Sequence, residues 1–260
     1  MAPRLLQILT IFFLSSQLVL AQDINTEDIE DPNRSGVVVV EQPEEYGLSY
    51  KKRRTKHGAL FSINTEKFYP TDYISLFQDG YVEDIISDRT IDLVGVELGY
   101  KHNVGAMSFS VLAAYSSGAI SGALVADKRT ISVNKQALSG NVALDGILEE
   151  PWVVPYAQAG IHQFNVSESN ALESLSATTG ISFNYRYGLL FQIDWIENLV
   201  DKTAKLERLK SSGLENTYID FYFSDHLASS SAADPSDLLN EGDPNMLSVG
   251  EMGLGLKMEF

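Results

Sequence analysis

Glu66, Glu97, Lys101, Asp145, Arg186, Asp194, Asp220, Glu251, Lys257 and Glu259 share one pattern: each stands on the polar side of a two-residue alternation. Arg186 lies in the middle of "SFNYRYGLLFQ". A guanidinium enclosed by such a segment needs a carboxylate. Glu97, Asp220 and Glu251 are the candidates at matching depth. The chemistry these residues offer is ion pairing rather than turnover. His226, beside Asp225 and near Ser229 to Ser231, is the one place where histidine, carboxylate and hydroxyl cluster in sequence. No His-x-Ser motif is present, and no catalytic residue is assigned. The acidic runs Asp79, Glu83, Asp84, Asp88 and Asp234, Asp237, Glu241, Asp243 supply oxygen donors. "DPSDLLNEGDPN" lacks the spacing of a calcium loop, and His57, His102, His162 and His226 are scattered. Neither a metal nor a cofactor is expected.

Strands must position these charges, because strand side chains point alternately to opposite faces. Ala59, Phe61 and Ile63 oppose Ser62, Asn64 and Glu66. Val94, Val96, Leu98 and Tyr100 oppose Gly95, Glu97, Gly99 and Lys101. Met107 to Tyr115 and Ser108 to Ser116 repeat the pattern. The stretch 130–147 alternates with a phase slip near Gln136, which reads as a bulge. In 152–166, Gln158, Gly160 and His162 share a face. The clearest strand is 177–195, where Ile181, Phe183, Tyr185, Tyr187, Leu189, Phe191, Ile193 and Trp195 share one face. Ile219, Phe221 and Phe223 follow. "EMGLGLKMEF" closes the set with Leu254, Leu256, Met258 and Phe260 on its apolar face. The fold class is all-β, with eight strands.

Connections alternate in character. The stretches 70–89, 118–129, 167–174 and 225–245 are polar and irregular, whereas "HNVG" and "EEP" are tight turns. Long loops at one end and short turns at the other fit an antiparallel up-and-down barrel. The connection 196–213 breaks the rule: Ile196, Leu199, Val200, Thr203, Leu206 and Leu209 have helical spacing, predicting a short amphipathic helix.

Two barrels fit this pattern, a soluble ligand-binding calyx of the lipocalin kind and a membrane barrel. The polar face carries Gly95, Gly99, Ser108, Ser110, Gly160, Gly180, Ser182, Gly188, Gly253 and Gly255. Small residues suit a narrow eight-stranded interior, and the aromatics of the other face would overfill it. The apolar face therefore reads as the outside, against lipid. Tyr69, Tyr100, Tyr115, Tyr187, Trp195 and Phe260 then partly form an aromatic girdle. The first 21 residues, with Arg4, an apolar run from Leu5 to Leu20 and small residues before the cut, predict a signal peptide cleaved after Ala21. Residues 22–45 are acidic and lack the composition of a folded domain; the barrel spans 46–260. "KKRRTK" (51–56) reads as a solvated strand end near anionic headgroups. The 260 residues carry a net charge of −16 and no cysteine, which argues against general attraction to nucleic acid and excludes disulfides.

The signal peptide, the alternating strands and the terminal "GLGLKMEF" resemble small bacterial outer-membrane β-barrel proteins of the OmpA/OmpX type, without a peptidoglycan-binding domain. The resemblance covers about 46–260. It implies residence in the outer membrane of a Gram-negative cell, with the termini in the periplasm. It implies contact with outer-membrane lipids and lipopolysaccharide, and handling by periplasmic chaperones and the barrel-assembly machinery. In that family the terminal aromatic and the alternate apolar residues before it are an assembly signal, here Leu254, Leu256, Met258 and Phe260. A structural or surface-interaction role with a plugged polar lumen follows from the resemblance. Some relatives modify lipid A with a histidine, a serine and an acid at the outer rim. That activity, a narrow pore and a secreted calyx are the alternatives.

Overall fold

The computed structural model describes residues 49–78, 80–86, 89–122, 129–194, 212–234 and 243–260. The expected signal peptide and acidic segment, Trp195, Asp79, Asp88, Asp237 and Glu241 lie outside them. So does the helix expected over 196–213, apart from its last two positions.

A short helix, α1 (Tyr50–Arg53), precedes β1 (His57–Phe68). A second, α2 (Val82–Ile86), separates β1 from β2 (Ile91–Val104). Then come β3 (Met107–Ser121), β4 (Thr130–Ala143), β5 (Val153–Ser169), β6 (Ser174–Thr178), β7 (Ser182–Gln192), β8 (Asn216–His226) and β9 (Ser248–Glu259). All pairings are antiparallel. Consecutive strands pair, except that β6 and β7 do not pair with each other, and β9 pairs back on β1. The strands β6 and β7 lie end to end on one edge of β5: β6 pairs with Asn165–Ser169 and β7 with Val153–His162. Nine segments thus make eight staves of a closed up-and-down barrel. Closure leaves no continuous open edge along the wall.

The turn between β2 and β3 is two residues long, with Gly105 at φ 58°, a left-handed conformation suited to glycine in a tight hairpin. The stretch 167–174 is not an irregular loop. β5 runs on to Ser169, and the hairpin returns through β6, with Asn170 Oδ1 accepting from the backbone N–H groups of Leu172 and Glu173. Polar residues on both faces of this extension had hidden its strand character.

The phase slip in the fourth strand is not a bulge either. β4 keeps unbroken register with both neighbours, and Gln136 pairs with Tyr115 and Gln163. Odd-numbered residues face inward throughout. What changes is the chemistry of the interior: Ile131 and Val133 lie near the loop end, and Lys135, Ser139 and Asn141 farther along. The register shift in the described ladders falls between Ser224 and His226, where β8 meets β9.

The wall is inverted relative to a soluble barrel. Ile181 is 64 % and Phe183 66 % exposed on the outer face, whereas Glu66 and Glu97 are each 2 % exposed within. At the loop end the interior is mostly apolar, around a buried ion pair, Arg129 with Glu168 at 3.4 Å, whose carboxylate also accepts from Tyr73 and Ser75. Tyr73, Val82, Ile85 and Ile86, from the connection between β1 and β2, pack with Phe68, Ile91, Leu93, Ile120, Ile131, Val133, Phe164 and Val166 of the wall. The expected solvated loop 70–89 therefore folds inward through α2. Its apolar residues, spaced at 82, 85 and 86, give one turn of helix a greasy face.

Candidate functional site

The middle of the interior is a chain of charges carried by inward positions of six staves. Arg186 on β7 places Nη1 2.7 Å from Glu97 Oε1 and Nη2 3.7 Å from Glu66 Oε2. Its guanidinium carbon lies 4.0 Å from the centre of the Tyr222 ring. Ser62 donates to Glu97 at 3.1 Å. Glu66 also takes Lys135 at 3.1 Å and lies 2.6 Å from His226 Nε2. His226, expected in an outer loop, is instead the last residue of β8 and fully buried, with its ring 5.2 Å from that of His162 and near Phe68 and Phe164. The strand runs three residues past the last obvious apolar alternation, its ladder held to the end by His226, which turns inward to Glu66. Ser229 and Ser231 turn to Asp243, away from any pairing with His226.

Of the other sequence candidates, Asp220 lies 3.5 Å from Lys257 and accepts from Tyr156 Oη at 2.8 Å. Glu251 accepts from the backbone N–H of Tyr69 at 2.9 Å and from Ser248. Arg186 pairs with Glu97 and Glu66 instead. Glu66, which sequence depth did not match to Arg186, joins it through the stagger of the strands: residues at one height in a tilted barrel are offset in number.

A second cluster closes the turn end. Lys101 lies 2.6 Å from Asp145, is hydrogen-bonded to Glu259, and donates to Tyr50 Oη at 2.9 Å. Arg54 reaches Asp145 at 2.7 Å, and Ser108 donates to it at 2.8 Å. Tyr50 of α1, completely buried, donates to Glu259 at 2.8 Å. The basic stretch 51–56 is therefore not a strand end. It is a helical turn followed by an extended arm, and Arg54 points inward. Burial alone would push the Asp145 carboxyl up. The Lys101 charge outweighs that, helped by hydrogen bonds from Lys101 and Ser108 and by Arg54, and holds it below the usual carboxylate range.

Between the two charge clusters runs a row of alternating size along one line of strand pairing: Tyr156, Gly188, Tyr222, Gly253. A Cβ on Gly253 would stand 2.0 Å from the Tyr222 ring, and one on Gly188 2.9 Å from the Tyr156 ring. The glycines are the space into which the tyrosines lie. Leu254, Leu256, Met258 and Phe260 alternate outward on β9, and Phe260 exchanges both backbone hydrogen bonds with Ala59. Among the described residues, no group of three or more metal-ligating side chains was found.

Within these two clusters the charges balance: Arg54, Lys101, Lys135, Arg186 and Lys257 stand against Asp145, Glu66, Glu97, Glu259 and Asp220. Each ion has a partner, the condition under which buried charge is tolerated.

No protein-family model and no curated protein matches the chain. Among solved structures it is similar to the N-terminal β-barrel domain of Pseudomonas aeruginosa OprF, at 14% identity over 78% of this chain and 99% of that one, with a TM-score of 0.41. It is also similar to Ail, the attachment invasion locus protein of Yersinia pestis, at 14% identity over 78% and 97%, with a TM-score of 0.42. Neisserial surface protein A is similar at 10% identity over 79% and 98%, with a TM-score of 0.42. These neighbours are eight-stranded outer-membrane barrels. By its own strand pairing, this chain is a closed, eight-stranded, antiparallel up-and-down β-barrel.

Proposed function

We propose that the chain is an integral barrel of the bacterial outer membrane with a structural or surface-interaction role and a plugged polar lumen. The observation that carries this is the inversion of the wall, with aromatic and aliphatic side chains outside and paired charges within. An outward apolar surface on every stave is costly in water and is satisfied by lipid. The test is purification: folded protein remains soluble only in detergent or lipid, and unboiled samples migrate differently from boiled ones. Folded protein recovered in plain aqueous buffer overturns the reading and favours a calyx. Planar-bilayer recording of the same sample gives no steady conductance if the lumen is plugged.

In this reading residues 1–21 are a signal peptide and the mature chain starts at Gln22, which intact-mass measurement of exported protein checks. The ends of β1 and β9 near α1 face the periplasm, and 70–89, 118–129, 167–174 and 225–245 face outward. Protease added to intact cells cuts within 225–245; cleavage confined to 196–213 reverses the orientation. Leu254, Leu256, Met258 and Phe260 serve as the signal read by the assembly machinery. Phe260→Asp lowers the surface-exposed protein in cells far more than it lowers refolding in detergent, and Phe260→Tyr lowers neither much. Equal losses in both assays restrict Phe260 to packing. Lipopolysaccharide and membrane lipid surround the barrel, and the role is non-enzymatic.

A further inference from the structure

His57 and His102 are remote in sequence, yet they are direct partners in the β1–β2 ladder. Both stand at outward positions at the turn end, in phase with Ala59 and Tyr100, away from the interior charges. Their Nδ1 atoms lie 3.3 Å apart, with ring centroids 4.9 Å apart and planes inclined by 45°. The hydroxyl of Tyr100, diagonal to His57 across the ladder, is hydrogen-bonded to the same His57 Nδ1. Three polar atoms converge where the available protons are few. His57 is exposed, so the spot is open to ions from solution.

The spacing is informative. Two Zn–N bonds of about 2.0–2.1 Å at a tetrahedral angle place their nitrogens about 3.3 Å apart. Square-planar ligation at similar bond lengths would need about 2.9 Å. Imidazole suits zinc, and the chain has no thiolate to compete for it. The other histidine pair, His162 and His226, is enclosed, and His226 Nε2 is already against Glu66.

We propose that His57 and His102 form a zinc-binding site on the outer surface of the turn-end rim, with the Tyr100 hydroxyl and water able to fill the remaining positions. Two protein nitrogens make a weaker site than a closed structural one, and Lys56 beside it opposes a cation. The titration therefore runs to about 1 mM zinc. Full-length chain folded in detergent is titrated with Zn²⁺ by calorimetry. Saturable uptake of one zinc per chain is expected, with loss of that uptake in both His57→Ala and His102→Ala. Co²⁺ added in place of zinc gives the intense visible absorption of tetrahedral coordination, and either substitution abolishes it. Both positions lie on the outside of the barrel, and the shift in gel migration between unboiled and boiled samples verifies that each variant has folded. Absence of saturable uptake by the unsubstituted chain, or uptake that persists in either variant, overturns the proposal.

Discussion

The two halves of the barrel interior share a wall and a strand parity but differ in what they hold. At the loop end, inward positions carry Leu93, Ile131, Val133, Phe164 and Val166, which pack on α2. In the middle and at the turn end, the same parity delivers Arg186, Lys135, Glu97, Lys101 and Glu259. Both solutions fill a narrow space, one mainly by close packing around the buried Arg129–Glu168 pair and the other by a chain of paired charges. The difference is in their response to loss. A hole in the apolar half costs contacts, whereas removal of one ion leaves an uncompensated charge.

Arg186→Ala is the sharpest way to break the comparison. It strips Glu97 of its 2.7 Å partner and Glu66 of one of its neighbours. A loss of about 3–5 kcal/mol is expected from unfolding in detergent with denaturant. Arg186→Met combined with Glu97→Leu loses much less, because no lone charge remains. A small effect of Arg186→Ala would mean that water reaches the charged half. Leu93→Ala in the apolar half costs about 2–4 kcal/mol in the same assay and is insensitive to salt. Salt sensitivity there would mean that the two halves are not separate environments.

Gly253→Ala comes next. Its new methyl group meets the Tyr222 ring, and overpacking costs about 1–3 kcal/mol. Tyr222→Leu in the same chain recovers part of it. Gly255→Ala, whose nearest contact is 3.1 Å, costs less.

The smallest effect is the share of the pH dependence that arises at the turn end. The Asp145 carboxyl is held below its ordinary range, so its contribution is complete above the unfolded-state value near pH 4 and is lost as pH falls toward the folded value. Melting of the folded barrel, followed between about pH 6 and pH 2, weakens on acidification, and Asp145→Asn flattens part of that slope.

Much of the wall was legible in the sequence, because an outward apolar face with period two survives any register. The contents of the interior were less so. The change from Val133 to Lys135 imitates a bulge, since alternation reports polarity and not direction. His226 looked like a loop residue because the strand's last inward positions are polar. The basic arm 51–56 concealed Arg54, whose partner Asp145 lies 91 positions away. The same limit applies to Arg186: one of its partners, Glu97, was within reach of a depth argument, but Glu66 comes close through strand stagger. His57 and His102 become a pair only once the register of β1 and β2 is known.

The row Tyr156, Gly188, Tyr222, Gly253 has an evolutionary consequence. Each tyrosine borrows its room from a glycine on the neighbouring strand. At 188 a larger residue also meets the carbonyl oxygen of Phe221, 2.3 Å from the new Cβ, which no change at 156 or 222 removes; at 253 it is viable if a smaller one arrives at 222. Positions 222 and 253 should therefore drift together, in compensated steps, with 188 held as glycine, while the residues outside the wall drift freely among apolar types. In a set of diverged sequences, the signature would be size exchange between these two adjacent strands: the volume of the pair is held steady while the identity of each member is not.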